Sequence, residues 1–186
     1  MKNFYEITIA GVKRKLQLFP VGGGVQIAAF ILFGDTEITK VSATALLEKA
    51  PEHDLIFTAE CKGIPLVYEM ARQANENYIV ARKGPKLYMK KVITTGVNSI
   101  TTEKEQILCL GEDDVNAMRG KRVLIVDDVI STGESLKAME ELVEAAGGEI
   151  VGKLAVLAEG EAAERDDIIF LEPLPLFDEN GEVLDK

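Results

Sequence analysis

The fold is decided by residues 123–135, which read Val-Leu-Ile-Val-Asp-Asp-Val-Ile-Ser-Thr-Gly-Glu-Ser. Four apolar residues that favour β-structure run into two adjacent carboxylates, which predicts a buried parallel strand ending at Val126. A short turn then leads to a helix that begins near Glu134. The turn follows the carboxyl end of the strand, where open α/β sheets bind their ligands.

The turn has the composition of a phosphate-binding loop, formed by Ser131, Thr132, Gly133, Glu134 and Ser135. Small hydroxyl residues and one glycine leave backbone N–H groups accessible, and the helix N-terminus adds partial positive charge. Asp127 and Asp128 suit sugar hydroxyls or the waters around Mg²⁺ better than a phosphate. The stretch therefore predicts a ribose 5-phosphate site. An ordinary strand–turn–helix crossover explains the apolar run, but it does not explain the paired acids beside this loop.

The length and composition of the chain predict one α/β domain spanning residues 1–186. Of its 186 residues 47% are hydrophobic, which is enough for a sizeable core. No apolar run approaches the roughly 18 residues of a membrane span, and the first residues show no apolar signal core. Cys61 and Cys109 lie far apart in sequence and fit reduced thiols. We therefore expect a cytoplasmic protein with no membrane partner.

The charge of the chain is distributed unevenly. The net charge is −10, which argues against a nucleic-acid partner. Residues 1–100 carry 13 basic and 9 acidic side chains, whereas residues 101–186 carry 8 basic and 22 acidic ones. Positive charge is concentrated in residues 82–91, which contain Arg82, Lys83, Lys86, Lys90 and Lys91. This segment is the natural place for a multiply charged anion to bind.

Strands and helices are predicted to alternate after residue 40, which implies a parallel sheet with right-handed crossovers. Strands are expected at 55–58, 78–81, 123–126, 150–158 and 168–171. Helices are expected at 40–50, 64–74 and 136–146. Before them, residues 4–19 predict a hairpin that turns near Gly11, residues 21–24 a flexible connector, and residues 25–33 form an apolar run. Residues 88–110 predict a long hairpin-like excursion.

Residues 123–135 resemble the signature of the type I phosphoribosyltransferases, in which an apolar strand, two acids and a Thr-Gly phosphate loop bind 5-phosphoribosyl-1-pyrophosphate (PRPP). The resemblance implies a parallel β-sheet flanked by helices, with a small hood built from the N-terminal hairpin region and the C-terminal end. It implies that Asp127 and Asp128 are the catalytic residues, holding the ribose hydroxyls and contacting Mg²⁺ indirectly through PRPP or water. It also implies a homodimer.

Two further segments resemble the pyrophosphate-binding parts of this family. Residues Glu60, Cys61, Lys62 and Gly63 follow a predicted strand, as the family's pyrophosphate loop does. Arg82, Lys83 and Lys86 match the Arg-Lys-x-x-Lys segment of adenine and orotate phosphoribosyltransferases. Arginine grips phosphate with two hydrogen bonds, and lysine acts as a movable charge. The alternatives are a plain βα turn and a solvated basic turn.

The remaining expectations concern the hood, at about 1–38 and 168–186, and a flexible catalytic loop, at about 86–110. Base contacts are expected from apolar and aromatic side chains, which stack well on a purine; these are Phe30, Ile31, Phe33, Leu174 and Phe177. The alternative is that these five belong to the core. In the loop, Tyr88 lies too early to match the Tyr of adenine enzymes, and Glu103 and Glu105 are candidates for the Glu of those enzymes.

The nucleobase is predicted from resemblance alone. Hypoxanthine–guanine enzymes carry an acid where Ser131 stands, and the lengths and basic segments resemble adenine enzymes most. This favours transfer from PRPP to adenine, giving AMP and pyrophosphate, in nucleotide salvage. Xanthine or orotate enzymes and a non-catalytic PRPP-binding regulator remain alternatives. Glu134 departs from the small residue common in the family, and its carboxylate would repel a phosphate unless it points outward.

Overall fold

The computed structural model describes residues 2–97 and 106–184, and its elements alternate largely as the sequence predicts. The strands are β1 (Phe4–Ile9), β2 (Val12–Gly22), β3 (Val25–Ala29), β4 (Leu55–Ala59), β5 (Tyr78–Ala81), β6 (Ile93–Val97), β7 (Gln106–Leu110), β8 (Arg122–Ile130), β9 (Glu149–Glu159) and β10 (Ile169–Leu174). The helices are α1 (Thr36–Lys49), α2 (Ile64–Ala74), α3 (Glu112–Met118) and α4 (Glu134–Ala146), with a 3₁₀ turn at Gly160–Glu164.

The centre of the molecule is a parallel sheet. Within the described residues five strands pair in the order β10-β9-β8-β4-β5, and every pairing is parallel. All five residues of β4 are buried, as expected for a strand covered on both faces. The predicted parallel sheet is therefore confirmed. The strand order changes direction between β4 and β8, and this switch point is where a doubly wound sheet opens a ligand crevice.

Helices cover the two faces of this sheet. Leu124 and Val126 of β8 point into a core shared with α1, α2 and the N-terminal strands. Val123 and Ile125 point the other way, into a core shared with α4 and β7. The alternation follows from the two-residue period of a strand. The helices predicted at 64–74 and 136–146 are confirmed, and α4 ends at Gly147, whose φ of 77° is left-handed.

Strand β8 is longer than the sequence indicates. It was expected to end at Val126, but it continues to Ile130 and pairs with β9 as far as Ala158. The reason is that β9 offers an 11-residue partner, and that Ile130 is buried beyond the acids. Asp127 and Asp128 therefore lie within the strand rather than in a turn after it.

The N-terminal strands form a separate antiparallel sheet, β1-β2-β3. The hairpin predicted to turn near Gly11 is confirmed. The flexible connector predicted at residues 21–24 is instead the tight turn that joins β2 to β3. Gly22, Gly23 and Gly24 all adopt positive φ there. The C-terminal segment closes on this sheet: Gln26 and Phe177 exchange backbone hydrogen bonds of 2.8 and 3.0 Å.

The excursion predicted at 88–110 contains the antiparallel pair β6 and β7, and residues 98–105 between them lie outside the described part. The backbone of Arg82, after β5, exchanges hydrogen bonds of 2.9 and 3.0 Å with Cys109 of β7, which ties the hairpin to the sheet. Helix α3 was not predicted, because its seven residues are too few to show a helical period. In the described residues, no helix is long and apolar enough to cross a membrane.

Candidate active site

The two predicted acids lie at the switch point of the sheet. Strand β4 pairs with β8 only as far as Ile125, so the next residues of β8 have no strand partner on that side. Asp128 is 3% exposed and Asp127 is partly buried. The backbone N–H of Asp128 donates to Asp127 Oδ1 at 2.9 Å, which fixes the orientation of that carboxylate. The pair therefore forms the floor of the crevice.

The electrostatic environment of Asp127 opposes its ionisation. Burial raises the pKa of this carboxyl well above its ordinary value, and the neighbouring charge of Asp128 raises it further. The nearby ammonium of Lys62 acts in the opposite sense. A divalent cation, or hydroxyl groups that donate to the carboxylates, would relieve this repulsion. The pair is thus prepared for a ligand that brings positive charge or hydrogen-bond donors.

The predicted phosphate loop lies directly after β8. Gly133 adopts a φ of 82° and precedes α4, whose Lys137 N–H donates to the Gly133 carbonyl at 2.8 Å. No described side chain caps the first turn of α4, so its N–H groups are open to an anion. Ser131, Thr132 and Ser135 are exposed, and Glu134 is partly buried in the first helical turn.

The predicted pyrophosphate loop touches the acids. Lys62 Nζ lies 3.3 Å from Asp128 Oδ2. Gly63 is packed so closely that a Cβ there would overlap Thr58 Oγ1 and lie 3.3 Å from Asp127 Oδ1. The peptide bond between Glu60 and Cys61 is cis, and the Cys61 thiol is exposed. The sequence gives no reason to expect the contact at Thr58, because Thr58 reads as an ordinary strand residue.

Glu60 contacts the basic segment in this structure. Its carboxylate accepts from the Lys83 backbone N–H at 2.7 Å and forms an ion pair with Arg82 Nε at 2.7 Å. Because the carboxylate is itself an anion, it suits positioning of Arg82, and contact of Glu60 with pyrophosphate remains a prediction. Arg82 also donates to Tyr88 Oη at 3.1 Å. Lys83 is exposed and Lys86 is partly buried. Because β4 and β5 are parallel neighbours, the basic segment after β5 follows the same edge of the sheet as Lys62-Gly63 after β4.

Three of the five predicted base contacts lie in the core instead. Phe30, Leu174 and Phe177 are at most 5% exposed, and Phe177 packs against Tyr5 with ring centroids 5.1 Å apart. Packing of the C-terminal segment on the N-terminal sheet buries them, so these side chains present no surface to a base. Ile31 and Phe33 are 56% and 52% exposed and remain predictions.

Other predicted features of the site are left open. Glu103 and Glu105 lie outside the described residues. Within the described part of the chain, no three His, Cys, Asp or Glu side chains form a group that could hold a metal ion. The indirect contact with Mg²⁺ predicted for Asp127 and Asp128 remains a prediction.

Two side chains that the sequence did not single out lie against the phosphate loop. Glu159 ends β9; burial raises the pKa of its carboxyl, and the nearby Ser131 hydroxyl acts in the opposite sense. Arg165 reaches the loop from the segment before β10: its Nη1 would lie only 2.8 Å from a Cβ at Gly133. The signal that could have found them is position, since residues after β9 share the carboxyl edge with residues after β8.

Comparison with known proteins agrees with this arrangement. Residues 35–178 match the family model described as a phosphoribosyl transferase domain. The adenine phosphoribosyltransferase of Petrotoga mobilis is 33% identical over 142 residues, covering 75% of this chain and 79% of the relative. The hypoxanthine/guanine phosphoribosyltransferase of Methanococcus voltae is 30% identical over 150 residues, covering 80% of this chain and 73% of the relative.

A solved structure shares the fold. The crystal structure of adenine phosphoribosyltransferase from Thermoanaerobacter pseudethanolicus superposes with a TM-score of 0.71 at 22% identity, and the match covers 85% of this chain and 95% of that one. The likeness confirms the predicted type I fold, with its parallel sheet and added antiparallel strands. Because the family model spans most of the sequence, including the diacid and all three loops, the chain belongs to the phosphoribosyltransferase family and is a transferase enzyme.

Proposed function

We propose that this enzyme transfers the 5-phosphoribosyl group of PRPP to adenine, forming AMP and pyrophosphate in purine salvage. The observation that carries the proposal is the position of Asp127 and Asp128, between a phosphate loop and the Lys62-Gly63 loop at the switch point of the sheet. The names of the relatives support a purine as the acceptor, and the Petrotoga mobilis relative supports adenine.

The reaction exchanges one bond at ribose C1 for another. The bond from C1 to the pyrophosphate oxygen breaks, a bond from C1 to a purine ring nitrogen forms, and the proton of that nitrogen leaves with the basic pyrophosphate anion. Positive charge develops on the ribose ring, and the carboxylates of Asp127 and Asp128 stabilise it. The loop of residues 131–135 anchors the 5-phosphate, while Lys62 and Arg82 receive the leaving pyrophosphate. Catalysis then comes from positioning and electrostatics.

Mg²⁺ fits the donor set of this site. Two adjacent carboxylates supply hard oxygen ligands, and the repulsion that raises the pKa of Asp127 is relieved by a divalent cation. When bound, the ion neutralises charge on the pyrophosphate leaving group. Asp127 and Asp128 would hold it through water or through the substrate. Ile31 and Phe33 are the remaining candidates for the wall that contacts the base.

A second acceptor class deserves the same test. The Methanococcus voltae relative acts, by its name, on hypoxanthine or guanine, which are 6-oxopurines. Against this candidate stands Ser131, at a position where the resemblance leads one to expect an acid in such enzymes. Glu159, beside Ser131, favours adenine if the base reaches it, because its carboxylate accepts from an amino group but opposes a carbonyl oxygen.

We also propose a homodimer. Tyr68 on α2 is 55% exposed and borders a cleft of about 480 Å³ that Leu32 and Pro65 also line. Apolar surface of this kind is common where a second subunit packs. Light scattering at several concentrations tests the proposal, and a mass of a single 20.3 kDa chain throughout would refute it.

Pyrophosphate release tests the proposed reaction. The enzyme is incubated with PRPP, Mg²⁺ and one base at a time from adenine, hypoxanthine, guanine, xanthine and orotate. We expect release with adenine, and we expect Asp128→Asn to lower kcat about 10²–10³-fold by removing charge that faces the ribose. Asp113→Asn, an exposed acid on α3, is the matched control. Release with a 6-oxopurine alone would select the second candidate, and no release with any base would refute the proposal.

A further inference from the structure

The proposed reaction gives no role to Arg165, although its side chain lies against the phosphate loop. Its guanidinium reaches across from the segment between the 3₁₀ turn and β10 to the phosphate loop, 32 positions earlier in the sequence. Nη1 lies so close to Gly133 that a Cβ there would be only 2.8 Å away. Gly133 therefore leaves the space in which this nitrogen sits.

The orientation of Arg165 is built by its neighbours. Nε and Nη2 donate to the two carboxylate oxygens of Asp167 at 2.8 and 2.7 Å, which is the two-pronged geometry that arginine favours. Asp167 is in turn paired with Lys153, whose Nζ also lies 2.8 Å from Glu140 Oε1. Arg165 and Lys153 together keep the pKa of Asp167 below its ordinary value. Among the described residues, Nη1 has no acceptor and points to the loop.

The charged residues around the phosphate loop are mainly acidic, so the charge on the Arg165 guanidinium matters for binding an anion there. A cleft of about 380 Å³ beside the loop is lined by Ser131, Thr132, Glu159, Glu161 and Arg165, among others. Among the described residues of that lining Arg165 is the only basic one, and Glu134 adds a further acid in the first turn of α4. A doubly charged phosphate in an acidic setting of this kind needs a cation, since the helix N-terminus supplies only partial charge.

We infer that Arg165 binds the 5-phosphate of the phosphoribosyl substrate through Nη1, and that Asp167 positions it. The inference rests on the proposed function for the identity of the ligand, and it goes beyond that function by adding a side-chain cation to a loop otherwise built from backbone N–H groups.

Titration with ribose 5-phosphate and, separately, with pyrophosphate in the presence of Mg²⁺ tests the inference by calorimetry. Ribose 5-phosphate carries the 5-phosphate alone, and pyrophosphate occupies the Lys62 side alone. We expect Arg165→Gln to weaken ribose 5-phosphate binding about 10–100-fold, as loss of a charged hydrogen bond does, and to change pyrophosphate binding less than about 2-fold. Lys62→Ala should show the reverse pattern, and Asp167→Asn a smaller loss on the ribose 5-phosphate side only.

Arg72→Gln is the matched control, because Arg72 forms the same two-pronged pair with Glu69 on the last turn of α2. It should leave both affinities unchanged. Equal losses for both ligands in Arg165→Gln, or none for ribose 5-phosphate, would overturn the inference while leaving the proposed function intact. If the wild-type protein binds ribose 5-phosphate but transfers no base, the proposed function fails and the role of Arg165 is still decided by the first titration. No binding of ribose 5-phosphate to the wild-type protein would overturn the inference, and pyrophosphate release with adenine would still decide the proposed function.

Discussion

Asp127 is a residue whose position in the binding site lowers the stability of the folded protein at neutral pH. Its carboxylate is placed beside that of Asp128 in a partly buried position, and both burial and the second acid raise its pKa. A group whose pKa is raised by folding stabilises the folded state below the ordinary carboxyl pKa of about 4. That contribution is lost as the pH rises through the raised pKa, so at neutral pH the charged pair opposes folding.

Asp127→Asn should therefore stabilise the protein without substrate. The amide removes the charge but keeps an oxygen that can accept the Asp128 N–H bond. We expect a gain of about 1 kcal/mol at pH 8, or about 2–4 °C in Tm for a chain of this length, shrinking towards pH 4. Thermal unfolding across this pH range measures it, and turnover should fall in the same variant.

Asp128→Asn is the comparison for this prediction, because Asp128 is paired with Lys62 at 3.3 Å. Loss of the Asp128 charge leaves the Lys62 ammonium without its partner, so the gain should be smaller. An Asp127→Asn protein that melts at or below the wild-type temperature at pH 8 would show that the charge of Asp127 does not destabilise the folded state.

The lengths of elements depend on partners that the local sequence does not contain. The apolar run 123–126 predicts β8 correctly, but its continuation to Ile130 depends on the length of β9, 19 or more residues later. Likewise the turn at residues 22–24 is a hairpin only because β3 pairs back onto β2. The loops after β4 and β8 were found because their chemistry is local, whereas Arg165 reaches Gly133 only through the fold.

The loop between β4 and α2 gives a prediction at this scale. Gly63 has φ −70° and ψ −16°, which any residue adopts, so its need for glycine comes from close contacts, above all with Thr58 Oγ1. Gly63→Ala should lower stability by about 1–3 kcal/mol through overpacking and should weaken pyrophosphate binding, because the loop moves away from Asp127. Thermal melts and pyrophosphate titration measure the two effects.

Thr58→Ala provides the test of cause. It removes the oxygen that the new methyl group would meet, so the Thr58→Ala/Gly63→Ala double variant should recover part of both losses. Losses that simply add would place the requirement for Gly63 somewhere other than this contact.

At the scale of the whole molecule, the N-terminal sheet and the parallel sheet share one core. Ile7, Ile9 and Leu18 lie in the same buried cluster as Leu124 and Val126. The five residues predicted to contact the base were selected because they are apolar or aromatic. Apolar character alone does not distinguish a residue that lines a binding pocket from one that lies in the core. Phe177 lies in the core because its ring packs against Tyr5. These two residues are more than 170 positions apart in the sequence.

A polar contact joins the N-terminal sheet to helix α1, and a substitution can remove it without changing a core residue. Asp35 caps α1 by accepting from the Ile38 N–H at 3.1 Å, and it accepts from Arg14 of β2 at 2.6 and 2.8 Å. Asp35→Ala should remove both contacts, whereas Asp35→Asn should keep the cap and lose the charge pair. Since a cap contributes about 1 kcal/mol, we expect the Ala variant to melt about 2–4 °C below the Asn variant.

The pH dependence separates the remaining charge pair from the cap. Arg14 lowers the pKa of Asp35, so the pair stabilises the fold above the ordinary carboxyl pKa of about 4, and this is lost as the pH falls through the lowered pKa. The wild-type protein should therefore melt above Asp35→Asn at pH 7, and the gap should close in acid, while the gap between the Asn and Ala variants persists. A gap between wild type and Asp35→Asn that is unchanged in acid would mean that Arg14 holds β2 to α1 by hydrogen-bond geometry rather than by charge.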